Sequence, residues 1–123
     1  MISYFYSQSL TLNEWIRMVT DYIIVFVTTK DKAEAEKIAQ ALLQEKLIAC
    51  ANMISPVKSC FFWLGKIDSA EECLVVMKSR ASLFGELEKR VRALHSYEVP
   101  EVLALPIVEG SGAYLAWMGN VLK

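Results

Sequence analysis

The sequence predicts an α+β fold, a ferredoxin-like βαββαβ domain with an extra C-terminal helix, and three observations carry the prediction. The apolar pattern changes period along the chain in the order strand, helix, strand, strand, helix, strand, helix. Only two helices lie between strands, so they can cover one face of the sheet and leave the other apolar face open. The chain is also unusually apolar, at 54% hydrophobic residues over 123 positions with a mean hydropathy of +0.32. A domain of this size hides only about two-thirds of its unfolded surface, so the surplus points to a homo-oligomer.

Residues 1–21 read as an N-terminal extension, and residues 22–123 as the domain. Within the extension Thr11 and Glu14 have capping-box spacing, and Leu12, Trp15, Ile16 and Val19 share a helical face. A short amphipathic helix, dispensable for the fold, is expected there. Tyr22 to Thr28 is β-branched and aromatic, and too short for a helix, so it is the first strand. Asp31 and Glu34 repeat the capping spacing, and Ala35, Ile38, Ala39, Leu42 and Leu43 trace a helix that ends near Lys46.

Val57 to Leu64 and Glu71 to Ser79 are rich in strand formers and flank turn chemistry from Gly65 to Ser69, which predicts a long hairpin. Ser82 is the expected N-cap of a second helix with Leu83, Leu87, Val91 and Leu94 on its apolar face, ending around His95. Val102 to Val108 is the fourth strand, which Pro106 places at an edge or bulge. Ser111 caps a third helix with Tyr114, Leu115, Met118, Val121 and Leu122 on one face. Phe26, Phe62 and Val75 are expected on the sheet surface left open to water.

Several function classes are disfavoured. Thirteen Lys and Arg against fourteen Asp and Glu give a net charge of −1, which supplies no field for a polyanion. The third strand, Cys73 to Met77, has no aromatic on which a base could stack. No apolar run approaches the ~18 residues of a membrane span, and the N-terminus lacks a basic leader, so a cytoplasmic protein is expected. Cys50, Cys60 and Cys73 are widely spaced and odd in number, which predicts reduced thiols, each read as a small buried hydrophobe. An acylphosphatase-like hydrolase would need Gly or Arg to cradle phosphate after the first strand, where the chain has Thr28-Thr29-Lys30-Asp31. No catalysed reaction is expected.

The chemistry-bearing candidates are few. His95, the single histidine, lies at the junction of the second helix and the fourth strand, where it is either a helix C-terminal imidazole or a ligand or acid/base group. Trp63-Leu64-Gly65-Lys66 forms the hairpin tip, a corner suited to an anion or a subunit contact. The alternating charges of the first helix, Glu34 among them, read as a solvated face.

Five segments in order resemble the CutA family of divalent-cation-tolerance proteins. They are Val27-Thr28-Thr29, Glu45 to Asn52, Phe62-Trp63-Leu64-Gly65-Lys66-Ile67, His95-Ser96-Tyr97-Glu98-Val99-Pro100-Glu101 and Tyr114-Leu115-Ala116-Trp117. The resemblance implies a ferredoxin-like protomer in a PII-like homotrimer with the sheets facing inward, cytoplasmic and associated with tolerance of copper and other divalent cations. Members proposed to bind copper use a first-strand cysteine and a His-His pair, whose positions here hold Val27 and Leu94-His95. Cys50 and His95 are therefore the candidate ligands for a weakly held Cu or Zn ion, with no cofactor required. Thr28, Trp63, Lys66, Tyr97, Glu98 and Glu101 are the candidate walls of clefts between subunits, where a metal ion, a small anion or a partner protein would bind.

Overall fold

The computed structural model describes Thr11 and residues 20–123. The expected helix in the N-terminal extension lies outside the described residues, apart from Thr11. From Tyr22 onward the order is β1 (Tyr22–Thr29), α1 (Lys32–Gln44), β2 (Cys50–Trp63), β3 (Lys66–Arg80), α2 (Phe84–Leu94), β4 (Val102–Pro106) and α3 (Gly112–Val121). The strands form one antiparallel sheet in the order β2-β3-β1-β4. This is the predicted arrangement, with α1 and α2 on one face.

Alternation along the two central strands decides what that face buries. In β1, Ile23, Val25, Val27 and Thr29 point toward the helices, and in β3 Cys73, Val75, Met77 and Ser79 do the same. Ile38 and Leu42 of α1, Leu87 and Val91 of α2, and Met118 of α3 complete the core, all fully buried. Val75 thus belongs to the covered face, contrary to expectation, because its pairing with Val27 fixes it on the helix side. Tyr22, Ile24, Phe26 and Thr28 occupy the opposite face, beside Leu74 and Val76 of β3 and Leu103 and Leu105 of β4. Leu103 and Leu105 are more than half exposed.

Local chemistry sets the ends of the elements. The Asp31 carboxylate accepts from the Glu34 N–H at 2.9 Å and caps α1 as expected. Ser82 does not cap α2: a 3-10 turn over Ala81–Leu83 intervenes, and the N-cap position, Leu83, has no side-chain cap. β2 begins at Cys50, seven residues before the predicted Val57, with a register shift between Ile54 and Val57 around a cis Ser55-Pro56 bond. The hairpin turn is Leu64-Gly65 alone, with φ of 51° and 76°, and Trp63 pairs directly with Lys66. β4 stops at Pro106, short of Val108, and Ile107 N–H then donates to the Tyr22 carbonyl. Cys60 is exposed on the hairpin, whereas Cys73 is buried as expected and Cys50 is partly buried.

The hairpin outruns the sheet. β1 pairs with β3 only from Cys73 to Arg80, so Val57–Trp63 and Lys66–Glu72 project as a two-stranded arm. Its apolar tip is uncovered, with Phe62 77%, Trp63 62%, Leu64 86% and Ile67 75% exposed.

At the other end, α3 crosses close to the start of β1. A Cβ on Gly119 would sit 2.5 Å from the Tyr22 hydroxyl, nearer than atoms tolerate. Gly119→Ala is expected to push the Tyr22 hydroxyl aside, a cost of about 1–3 kcal/mol that the roughly 1 kcal/mol helix preference of Ala over Gly partly offsets, so chemical denaturation should show a net loss of at most about 2 kcal/mol.

Candidate functional site

The candidate site lies at the C-terminal end of β1, where the α2–β4 junction folds back over the sheet. His95 is the C-cap of α2 and is 9% exposed. Its Nδ1 accepts from the Tyr97 N–H at 3.0 Å, so the ring proton is on Nε2, which donates to the Thr28 carbonyl at 2.7 Å. Both ring nitrogens are therefore engaged within the chain. The Tyr97 ring lies tilted against the imidazole, 4.8 Å between centroids.

Two buried carboxylates hold the same junction. Glu34 Oε2 accepts from the Ser96 N–H at 2.8 Å, and Oε1 from the Lys30 N–H at 3.3 Å. Glu72 Oε2 accepts from the Tyr97 hydroxyl at 2.7 Å. Burial pushes the Glu34 carboxyl up, but the hydrogen bonds from Ser96 and Lys30 outweigh it and hold the group below its ordinary range. Burial raises the Tyr97 phenol to about 12, with the Glu72 hydrogen bond and the charges of Glu72, Glu34 and Asp31 adding to it, so Tyr97 remains a donor at physiological pH.

A pH dependence follows from Glu34. Its folded pKa lies below the unfolded value, so its contribution is complete above the ordinary carboxylate range near ~4.3 and is lost as pH falls through the folded pKa. Thermal unfolding between pH 7 and pH 3 should show an acid loss in the wild type that Glu34→Gln flattens.

The six predicted cleft residues do not converge in one chain. Thr28 and Tyr97 meet at the His95 junction, and Glu98 and Glu101 are exposed on the same loop. Trp63 and Lys66 stand at the hairpin tip, six residues along β3 from Glu72, or roughly 20 Å. Cys50 and His95 are also apart. Cys50 pairs with Lys78, which pairs with Ile24, four residues or about 13 Å along β1 from Thr28. Among the described residues no group of three or more His, Cys, Asp or Glu is placed to hold a metal ion.

Glu34, expected on a solvated face, instead turns inward to the Ser96 N–H, and Glu72 is a site residue to which the sequence assigns no role. The Asp31-x-x-Glu34 spacing was a usable signal, since a capping-box carboxylate turns back to the backbone before its helix. Glu72 carried none, because its partner Tyr97 is 25 residues away.

Comparison with known proteins decides the family. The model for the CutA1 divalent ion tolerance protein matches residues 23–121. The chain belongs to the CutA1 family. Among its CutA relatives, the divalent-cation tolerance protein CutA of Archaeoglobus fulgidus is 40% identical over 99 residues, covering 80% of this chain and 96% of that protein. The chloroplastic protein CutA of Arabidopsis thaliana is 41% identical over 115 residues, covering 94% of this chain. The chain spans 63% of that plant protein's length and 55% of a rice CutA 1 protein.

Solved CutA structures share the fold. The periplasmic divalent cation tolerance protein CutA from Archaeoglobus fulgidus superposes with a TM-score of 0.81 at 38% identity, over 83% of this chain and 99% of that one. CutA1 from Oryza sativa gives 0.81 at 39% identity, over 83% and 94%. CutA1 relatives are named for tolerance of divalent ions and not for a reaction. Their names place two in the chloroplast and one in the periplasm, so the family does not fix a compartment. No helix among the described residues is long and apolar enough to cross a membrane.

Proposed function

We propose that this CutA1-family chain works as a PII-like homotrimer that binds a divalent metal ion, copper or zinc, weakly in clefts between subunits, without catalysing a reaction. The observation that supports it best is the pair of uncovered apolar surfaces, the open sheet face and the hairpin tip. A closed ring of head-to-tail contacts lets each arm cover the next subunit. In that ring Trp63 and Lys66 of one subunit approach Thr28, Tyr97, Glu98 and Glu101 of another, and complete a cleft that one chain leaves open.

The acidic loop favours a cation over the small anion or partner protein that the same clefts could otherwise take. The geometry supports weak binding: a metal on His95 must displace either the Tyr97 N–H or the Thr28 carbonyl, and Cys50 is out of reach in the same chain. The three free thiols, one of them exposed, fit a reducing compartment, for which we propose the cytoplasm.

Calorimetric titration with Cu²⁺ and Zn²⁺ tests the metal. The expected result is binding weaker than nanomolar that falls with acidification, because protons compete for the imidazole, and that weakens further in His95→Ala. A nanomolar site indifferent to that substitution means other ligands, and no binding in either protein leaves a structural or signalling trimer.

A further inference from the structure

The loop that leads from His95 into β4 is held by side chains and not by its own backbone. From Ser96 to Glu101 no backbone-to-backbone hydrogen bond forms among the described residues, and three other bonds take that place. The Ser96 N–H goes to Glu34, the Tyr97 N–H to His95 Nδ1, and the Tyr97 hydroxyl to Glu72. Tyr97 therefore bridges the imidazole and Glu72, with contacts of 3.0 Å and 2.7 Å.

Glu72 is the fixed end of that bridge. It is buried, and it sits in the β2–β3 ladder opposite Val57, one residue before β3 joins β1 at Cys73, so its backbone cannot follow the loop. The other end is the chemically important one. Because the ring proton is on Nε2, which donates to the Thr28 carbonyl, the lone pair that a metal ion would take is on Nδ1. The Tyr97 N–H already occupies it.

We propose that Glu72 is a positioning residue for His95: acting through the Tyr97 hydroxyl, it keeps the Tyr97 N–H on Nδ1, so that a divalent metal ion must displace this N–H to bind. Among the described residues no hydrogen bond joins Glu72 to the imidazole, and its influence runs through Tyr97 alone. The metal half of the inference rests on the function proposed above; the clamp on the imidazole does not. Its effect has the opposite sign to that of a ligand. Removing a ligand weakens metal binding, whereas releasing the clamp enlarges the fraction of molecules whose Nδ1 is free and so strengthens it.

The test uses the full chain labelled with ¹⁵N at histidine, and since His95 is the single histidine its two ring-nitrogen signals are read without ambiguity. At about pH 8 an ordinary imidazole, with a pKa near ~6.5, is neutral. The wild type should show a protonated Nε2 and a hydrogen-bonded Nδ1. Tyr97→Phe and Glu72→Ala should each move the Nδ1 signal toward that of an unbonded acceptor, while Glu72→Gln, whose amide carbonyl still accepts from the hydroxyl, should keep the wild-type signals. Calorimetric titration of the same four proteins with Zn²⁺ gives the second readout. Binding should be about threefold to tenfold tighter in Tyr97→Phe and Glu72→Ala than in the wild type, the scale of one competing hydrogen bond. Ring-nitrogen signals unchanged in both variants overturn the proposal. So does Zn²⁺ binding that is equal or weaker in those variants, which makes Tyr97 and Glu72 supports of the fold alone. Shifted signals with no Zn²⁺ binding in any of the four proteins uphold the clamp and overturn the metal reading instead.

Discussion

Leu42→Ala should lower the unfolding free energy by about 2–5 kcal/mol, a large share of the roughly 5–15 kcal/mol that holds a domain of this size together. Leu42 is fully buried in the core that α1 forms with the sheet. Truncation removes the transfer energy of the side chain and leaves a cavity lined by residues anchored in the strands, which relax little. Urea denaturation, with an unchanged slope and a lower midpoint, checks the value. Gln40→Ala, on the exposed side of the same helix, should change stability by less than about 0.5 kcal/mol.

The core of α1 was legible because Ile38 and Leu42 obey a helical period, which local sequence displays in full. Strand β2 was not. Cys50-Ala51-Asn52 has weak strand propensity and Pro56 reads as a break, yet pairing with Lys78, Met77 and Val76 of β3 holds the segment extended. Long-range pairing overrode local preference there. The hairpin turn was misplaced for a related reason: Lys66 to Ser69 has turn chemistry, but cross-strand pairs from Trp63–Lys66 outward leave only Leu64-Gly65 to reverse the chain. Ser82 looked like a cap because sequence cannot show that a 3-10 turn separates it from α2.

The site was legible in part. The His95 to Glu101 segment stood out as a polar junction, and the structure folds it over Thr28. Its anchors Glu34 and Glu72 lie on other elements, brought in by tertiary packing alone. Glu34 also looked solvated because its neighbours Glu36 and Lys37 are exposed, while its own carboxylate turns inward to Ser96.

The second large effect belongs to the hairpin tip. Trp63→Ala should weaken assembly at least about thirtyfold, corresponding to the ≥ 2 kcal/mol typical of a buried aromatic anchor, while leaving the folded protomer intact. The side chain is 62% exposed in one chain and stabilises nothing in its own core, so whatever it contributes comes from another copy. The circular dichroism spectrum should be unchanged while the dissociation midpoint moves to higher concentration. A variant that assembles like the wild type would place the interface elsewhere.

Trimer formation is read directly by sedimentation of the unmodified chain at micromolar concentration. One species at three times the 13.9 kDa chain mass is expected, held by the open sheet faces and the arms. A stable species at the mass of one chain would contradict it.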